Sequence, residues 1–356
     1  MKSNVTGSVE ARQTEKRKSE HIEICLQEEV QGKGITTGFE RYRFHHNALP
    51  EIDFASISTD SIFLGKPLKA PLLISSMTGG TDRAGRINRA LAETAEARGW
   101  AMGVGSVRAA VQNEELADTF DVRKYAPTIP ILSNVGAVQL NYGFGVDEAR
   151  RAVELVEADG LVLHLNSMQE VFQPEGDTNF AALLPRIEEL CSRLGLPVGV
   201  KEVGWGIDAE TAARLHNAGV SFIDVAGAGG TSWSEVEKFR SASPLQRAAA
   251  EAFAGWGIPT AESLREVRGR LPAGTVIASG GLATGLDAAK AVALGADLAG
   301  YGRRLLPAAA GDRAAEELHA KFEQIELEFR IAMFGIGAGS LAKLKGTPRL
   351  RALAER

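Results

Sequence analysis

Eight short apolar segments recur between residues 70 and 302, each followed by an amphipathic stretch, and this repeat constrains the fold most strongly. The apolar segments are five or six residues long, whereas the stretches between them have the period of a helix. Strands that alternate with helices form a parallel sheet, because each helix returns the chain to the same edge. The predicted strands are 71–76, 100–104, 130–134, 160–165, 197–202, 221–226, 275–279 and 297–302.

Nearly every predicted strand is followed by polar or glycine-rich residues, which favours a closed barrel over a doubly wound open sheet. A barrel gathers the loops after all its strands at one rim, whereas an open sheet brings only some of them together. Eight repeats over roughly 230 residues also match a (β/α)8 TIM barrel. We predict this α/β barrel over 70–356, with a C-terminal helix at 312–332 and a tail. An N-terminal extension over 1–69 packs on it, beginning as a flexible tail to about residue 15.

The helices between the strands are predicted from their amphipathic pattern and from polar residues suited to cap an N-terminus. The expected caps are Asp147, Asp208, Thr260 and Thr284. The predicted helices are 84–98, 147–158, 179–194, 208–218, 260–270 and 284–294.

The composition limits the partners and the location of the protein. A net charge of −5 argues against general attraction to nucleic acid. No apolar run reaches the roughly 18 residues of a membrane helix, and the N-terminus lacks the apolar core of a signal peptide. The two cysteines, Cys25 and Cys191, are far apart and fit a reducing compartment. We therefore expect a cytoplasmic protein with no membrane partner.

The clearest candidate site lies after the last two strands. Gly280, Gly281 and Leu282 precede a helix, and Gly302 and Arg303 follow the final strand. Glycines let the backbone approach an anion, and a helix N-terminus offers free N–H groups. Barrels often bind phosphate at these two loops, so we predict a phosphate site there rather than simple tight turns. The 227–232 loop is a weaker second candidate.

Lys201 lies within an apolar strand, where an ammonium group is costly to bury without a partner. The residues alone leave several roles open. The side chain could contact a flavin near N1, form a Schiff base, or pair with a carboxylate in a structural ion pair.

The segment from His164 to Glu170 follows a buried strand and concentrates polar groups at its end. His164 and Asn166 point the same way in an extended chain, and Gln169 and Glu170 lie just beyond. Glu170 is the one carboxylate here, and with water and phosphate oxygens it suits Mg²⁺. Polar groups so placed predict a ligand site, although His164 alone could be a core residue.

Other polar groups follow the first two strands and lie near the N-terminus. The 76–80 turn offers hydroxyl and N–H groups, and Ser106 with Arg108 could bind an anion. A basic run at 16–18, followed by His21, could clamp a phosphate, although such runs are more often solvated tails.

Nine motifs, in order along most of the chain, closely resemble type 2 isopentenyl diphosphate isomerases, which are FMN-dependent (β/α)8 barrels. One such motif would be weak evidence, whereas nine in order are specific. They are RKSEHI (17–22), SSMTGG (75–80), GVGSVR (103–108), SNVGAVQ (133–139), HLNSMQE followed by PEGDTNF (164–180), KEVGWG (201–206), GAGGTSW (227–233), SGGLATG (279–285) and YGRRLL (301–306).

The resemblance implies roles for individual residues. Glu170 would bind Mg²⁺, Gln169 would also act in catalysis, and Lys201 would hold the FMN ring near N1. Substrate contacts would come from Arg17, Lys18, His21, Ser106, Arg108, His164, Asn166 and Gln169. Other FMN contacts would come from Met77, Thr78, Gly79, Ser106, Asn134, Thr231, Gly280, Gly281, Leu282, Gly302 and Arg303.

The resemblance also implies a reaction. Isopentenyl diphosphate and dimethylallyl diphosphate would be interconverted by proton addition and removal, with reduced FMN, with Mg²⁺, and with NAD(P)H as the reductant of the flavin. No net redox change would occur. The partner would be this small-molecule diphosphate, and a homo-oligomer is expected. The alternative is an FMN-dependent, hydride-transferring barrel oxidoreductase acting on a small phosphorylated or carboxylated substrate.

Overall fold

Eight parallel strands form a closed barrel, and each corresponds to a predicted strand. The computed structural model describes residues 3–353, with side chains described from residue 15 onward. The strands follow one another around the barrel in chain order, and the last pairs with the first, residues 299–301 opposite 72–74. The (β/α)8 fold class is therefore confirmed, and the doubly wound alternative is wrong.

The elements are numbered in chain order. The barrel strands are β4 to β11, and most of the helices lie around them. The strands are β1 Tyr42–Phe44, β2 Ser61–Phe63, β3 Lys66–Leu68, β4 Leu72–Ile74, β5 Ala101–Gly103, β6 Ile131–Gly136, β7 Gly160–His164, β8 Val198–Lys201, β9 Phe222–Asp224, β10 Thr275–Ala278, β11 Leu298–Tyr301 and β12 Leu350–Ala352. The helices are α1 Ser3–Gln27, α2 Asp82–Arg98, α3 Arg108–Gln112, α4 Val146–Glu154, α5 Ser167–Phe172, α6 Leu183–Arg193, α7 Ala209–Asn217, α8 Trp233–Arg240, α9 Pro244–Ala252, α10 Thr260–Arg270, α11 Gly285–Ala293, α12 Leu306–Ala310, α13 Ala314–Gly335 and α14 Leu341–Leu344.

One end of the barrel is closed by apolar side chains, which leaves the other end for polar groups. The β2–β3 hairpin buries Phe63 and Leu68 against inward-facing residues of the strands, including Leu73 and Phe222. Phe63 and Phe222 pack edge to face with ring centroids 5.3 Å apart. A larger core lies between the strands and the surrounding helices.

The helix caps agree with the sequence pattern at two of four positions. Asp208 accepts hydrogen bonds from the backbone N–H groups of residues 210 and 211, and Thr284 forms a capping box with Asp287. The predictions for Asp147 and Thr260 are wrong, because both lie inside their helices. The Thr260 hydroxyl donates instead to the Gly280 carbonyl at 2.6 Å, and so supports a loop at the barrel mouth.

The N-terminal segment is helical where a flexible tail was predicted, since α1 runs from Ser3 to Gln27. Its charged composition resembles a solvated tail, but Ile22 is 3% exposed, and α1 contacts α8. Residues 30–38, the N-terminal strap, continue from this helix across the 229–232 loop. Gly32 N–H donates to the Gly230 carbonyl at 3.1 Å, and Ser232 N–H donates to the Val30 carbonyl at 2.8 Å.

None of the helices within residues 3–353 combines the length and apolar character needed to cross a lipid bilayer.

Candidate functional site

A cavity of about 870 Å³ lies at the carboxyl ends of the barrel strands, beneath α1. It is large enough for a cofactor together with a small substrate. The structure brings together every predicted site residue except one, drawn from α1 and from the carboxyl-terminal parts of the eight barrel strands and the loops that follow them. The residues that line the cavity include Arg17, Lys18, His21, Met77, Thr78, Ser106, Arg108, Asn134, His164, Asn166, Gln169, Glu170, Lys201, Thr231, Gly280, Gly281, Leu282, Gly302 and Arg303.

Gly79 is the exception, because it lies outside the cavity wall. A Cβ atom at this position would come within 1.9 Å of the Phe120 ring. Glycine is therefore required here for packing against Phe120, and the FMN contact expected at Gly79 stays a prediction.

His164 is held as a neutral imidazole at the base of the cavity. Its Nδ1 lies 2.9 Å from Asn134 Oδ1, and amide oxygens only accept, so Nδ1 carries the proton. Burial lowers the pKa of His164 to about 3, and the nearby Lys201 ammonium lowers it further in the same direction. His164 therefore presents an unprotonated Nε2, which can accept a hydrogen bond from a ligand but cannot donate a proton.

Unpaired polar atoms in the cavity wall fit a bound polar ring. Ser75 Oγ and Asn166 Oδ1 are buried and have no hydrogen-bond partner among the described residues. Both residues line the cavity. Buried polar atoms rarely stay unpaired, so these two atoms indicate where ligand groups bind. With the buried Lys201 nearby, this chemistry fits FMN, whose ring edge offers complementary donors and acceptors.

The loops after β9 and β10 meet through glycines at one side of the cavity. A Cβ atom at Gly230 would lie 2.5 Å from the Gly281 nitrogen, so only glycine allows this approach. Gly280 and Gly281 also have positive φ angles of 103° and 76°. Arg303 lines the same region. These features fit the phosphate end of FMN.

Glu170 lies in a polar cluster formed by α5 and the following loop. Its carboxylate accepts hydrogen bonds from Asn166 Nδ2 at 2.7 Å and from the Asp177 backbone N–H at 2.7 Å. Burial raises the pKa of Glu170, and these donors oppose the shift. No group of three His, Cys, Asp or Glu residues that could hold a metal is found within residues 3–353. A cation at Glu170 therefore needs ligand oxygens from the substrate or from water.

Glu237 on α8 is a functional candidate that sequence reasoning missed. Its side chain is fully buried, and Oε1 lies 2.9 Å from His21 Nε2 and 3.3 Å from Gln169 Nε2. Arg240 Nη1 donates to Oε2 at 2.6 Å. Burial acts to raise the pKa of Glu237, but the hydrogen bonds from His21 and Arg240 and the Arg240 charge outweigh burial and lower it. Burial lowers the pKa of His21 itself, so Arg240 is the charged partner. An ionised carboxylate thus links two predicted substrate contacts.

Two arginines predicted to bind diphosphate face carboxylates of the 173–179 loop. Arg17 lies 3.9 Å from Glu175, and Arg108 donates to Asp177 at 2.8 Å. Gln139 also donates to Asp177 at 3.0 Å. The loop carboxylates therefore occupy positions that are chemically suited to an anionic ligand.

Lys18 is half-buried at the mouth of the cavity. Its Nζ donates to the Ser106 carbonyl at 3.1 Å and lies 5.1 Å from the centroid of the Phe120 ring. Burial lowers the pKa of Lys18 to about 7, and the charge of Arg17 lowers it in the same direction. Lys18 is therefore cationic below about pH 7 and neutral above it.

We expect the affinity for a diphosphate ligand to fall as the pH rises through 7, since Lys18 then loses its charge. The apparent KM should rise up to about tenfold per pH unit above that point, the limit for one titrating group. Steady-state kinetics from pH 6 to 9 measure this. Lys18→Met should flatten the profile, whereas Lys16→Met should preserve it, because Lys16 is 78% exposed. An unchanged profile in Lys18→Met would contradict the assignment.

Comparisons with known proteins agree on a flavin barrel and on one family of enzymes. The model for the FMN-dependent dehydrogenase family matches residues 148–350. An isopentenyl-diphosphate delta-isomerase from Oceanobacillus iheyensis is 54% identical over 95% of this chain and 97% of its own length. Proteins of the same name from Nostoc sp. and Rickettsia felis are 52% and 49% identical over 96% and 92% of this chain, and over 97% and 94% of their own lengths.

Solved structures of flavin enzymes share the fold at low sequence identity. An (S)-mandelate dehydrogenase mutant has a TM-score of 0.67 at 17% identity, over 97% of this chain and 99% of its own. A putative lactate oxidase from Pediococcus acidilactici has a TM-score of 0.65 at 18% identity, over 98% of this chain and 95% of its own. At these identities the likeness extends to the barrel fold alone.

Proposed function

We propose, on the premise that this chain belongs to the isopentenyl-diphosphate delta-isomerase family, that it interconverts isopentenyl diphosphate and dimethylallyl diphosphate with FMN as its cofactor. The observation that carries this conclusion is identity of 49–54% over 92–96% of the chain. The family predicted from the nine motifs is thereby confirmed. The FMN-dependent family match over 148–350 supports the flavin-dependent form of the enzyme.

The proposed division of the cavity follows from the positions of its charged groups. The diphosphate would be held by residues of two helices. Helix α1 contributes Arg17, Lys18 and His21, and α3 begins with Arg108. The FMN phosphate would lie against Gly281 and the neighbouring glycine loops. Lys201 would hold the ring, and His164, Asn166 and Gln169 would contact the substrate. The lining of a single cavity by all these groups supports this arrangement.

The reaction moves a double bond without net oxidation. A proton is added to the terminal methylene carbon, and another is removed from the carbon beyond the tertiary centre. When bound, reduced FMN supplies proton-transfer groups on an electron-rich ring suited to stabilise a developing tertiary cation. The chain positions the alkene through Gln169 and Asn166, holds the diphosphate through its basic residues, and limits water with α1 over the mouth.

We propose that Glu170 binds Mg²⁺ that bridges to the substrate diphosphate. Glu170→Ala should then raise the Mg²⁺ concentration for half-maximal activity about tenfold or more, because one anionic ligand is lost. Titration of activity with Mg²⁺ measures this. Gln173→Ala serves as a control. Gln173 Nε2 donates to Glu170 Oε2 at 3.4 Å, but the Gln173 side chain carries no charge. Equal shifts in both variants, or loss of FMN from Glu170→Ala, would count against the metal role.

Reduction of the flavin by NAD(P)H, a cytoplasmic location and a homo-oligomeric assembly remain predictions. So does the division into an extension over 1–69, with substrate-phosphate contacts, and a barrel unit over 70–356. The division is supported by the extension's contribution to the cavity lining, which includes Arg17, Lys18 and His21.

The decisive experiment incubates the reduced FMN-loaded protein with isopentenyl diphosphate and Mg²⁺ in D₂O. The expected product is dimethylallyl diphosphate carrying deuterium, with no reductant consumed per turnover. Mass spectrometry and NMR measure the label. Unchanged isopentenyl diphosphate would refute the proposal, and stoichiometric consumption of reductant would favour the oxidoreductase alternative, which the close relatives do not support.

A further inference from the structure

Asp224 lies behind the cavity wall and accepts hydrogen bonds from two residues that line it. It ends β9 and is 4% exposed, yet it is not itself part of the cavity lining. Ser279 Oγ donates to Asp224 Oδ1 at 2.7 Å, and the Ala226 backbone N–H donates to the same oxygen at 3.2 Å. Ser279 and Ala226 both line the cavity. One buried carboxylate thus connects the ends of two neighbouring strands.

Asp224 also lies next to Lys201 in the sheet, on its other side. The two residues are opposite each other in the parallel pairing of β8 and β9, so their side chains extend to the same face. Lys201 Nζ donates to the Glu202 carbonyl at 2.6 Å, which leaves further donors for the cavity. Burial lowers the pKa of Lys201 and raises that of Asp224, and each charge opposes the shift of the other.

Glu202 is a second carboxylate near Lys201, but its hydrogen bonds commit it to a turn. One of its oxygens accepts from the backbone N–H groups of residues 203, 204 and 205, at 2.6, 2.8 and 2.6 Å. Burial nevertheless raises the pKa of Glu202 to about 7. Of the two carboxylates, Asp224 has the stronger influence on Lys201. His164, opposite Lys201 on β7, is neutral and adds no counter-charge.

The backbone after Asp224 uses one of its oxygens as a hydrogen-bond acceptor. Ala226 has a φ of 36°, in the left-handed region that a residue with a Cβ rarely adopts. The hydrogen bond from its N–H to Asp224 stabilises this turn, which leads into the Gly227–Gly230 loop. Strained backbone of this kind persists where surrounding contacts hold it in place.

We propose that Asp224 is a positioning residue that acts through Lys201, supplying its counter-charge and fixing the strand ends against the flavin. This inference rests on the proposed binding of FMN in the cavity. The reduced flavin ring carries negative charge along its N1–C2 edge, so a cationic Lys201 stabilises the reduced form more than the oxidised form. Without Asp224, burial favours the neutral form of Lys201, and the preferential stabilisation of the reduced flavin is lost.

The test measures the affinity for FMN and the two-electron midpoint potential of the bound flavin, in the full-length protein. Asp224→Asn should weaken binding of reduced FMN about tenfold more than binding of oxidised FMN. That ratio corresponds to a fall of about 30 mV in the midpoint potential. Asp208→Asn is the control and should leave the potential unchanged, because Asp208 caps α7 by accepting from residues 210 and 211.

A double-mutant cycle separates action through Lys201 from a general structural effect. In a Lys201→Met background, Asp224→Asn should cause no further fall in the potential. An equal fall in both backgrounds would overturn the proposal, as would an unchanged potential in Asp224→Asn. If Asp224→Asn does not fold, Lys201→Met still tests the proposal. An unchanged potential in Lys201→Met would overturn it, because the charge of Lys201 would then have no effect on the flavin for Asp224 to support. Failure of the wild-type protein to bind FMN would instead refute the proposed function.

Discussion

Replacing Glu237 with Gln is expected to lower turnover about 100-fold or more. The carboxylate is buried and contacts both His21 and Gln169, which line the cavity. Loss of its charge leaves His21 without an anionic partner and changes the orientation of the Gln169 amide. Groups that move or orient protons typically contribute 10²–10⁴-fold to the rate. Steady-state kinetics with isopentenyl diphosphate measure the loss, and FMN titration should show an affinity within about threefold of wild type.

The same helix offers a matched control for Glu237→Gln. Glu235 is also fully buried, but it pairs with Lys238 at 2.5 Å and Lys33 at 3.4 Å, away from the cavity. Glu235→Gln should lower the thermal midpoint while largely preserving turnover. Breaking a buried ion pair is destabilising in both variants, so the two proteins are compared at a temperature where both are folded. Similar losses of turnover in the two variants would show that Glu237 acts only through stability.

Replacing Gln169 with Ala is expected to reduce turnover by a similar factor, about 100-fold, with little effect on the affinity for FMN. Gln169 lies near the start of α5, and its side chain lies between Asn166 Nδ2 at 3.5 Å and Glu237 Oε1 at 3.3 Å. An amide is too weak an acid or base to ionise, so it acts by orienting the reacting end of the substrate or relaying a proton. Stopped-flow or steady-state assays measure kcat and KM separately.

Gln173→Ala is the control for Gln169→Ala, because Gln173 lines the same cavity but contacts Glu170 rather than Glu237. We expect its turnover to fall less than tenfold. A parallel loss of FMN and of turnover in Gln169→Ala would contradict a substrate role, since it would place the side chain in cofactor binding instead.

The barrel was predictable because its strands are apolar on both faces and its loops carry the polar chemistry. The same periodicity brought Lys201 and His164 to one rim, since strand register fixes the side from which they project. Glu237 was not predictable in this way. It alternates with Glu235 in a charged stretch typical of a solvated helix, and its burial depends on His21, 216 residues earlier.

The predicted flexible tail at the N-terminus is wrong for a reason that lies in the tertiary structure. The charged composition of the first 15 residues is typical of a flexible tail, yet α1 gains stability from packing Ile22 into the core. This packing is a tertiary contact between distant parts of the chain, which a local pattern does not contain.

The path of α1 and the N-terminal strap has a consequence for how the protein matures. The barrel closes through pairing of β4 with β11, whereas the mouth closes through contacts that join residues 30 and 32 to the 230–232 loop. We therefore expect α1 to dock only after α8, about 200 residues later in the chain, has taken its place. Contacts of such wide sequence separation form late, because loop-closure entropy opposes them until the rest is folded. We thus expect FMN to have a route into the open barrel before α1 and the N-terminal strap cover the mouth.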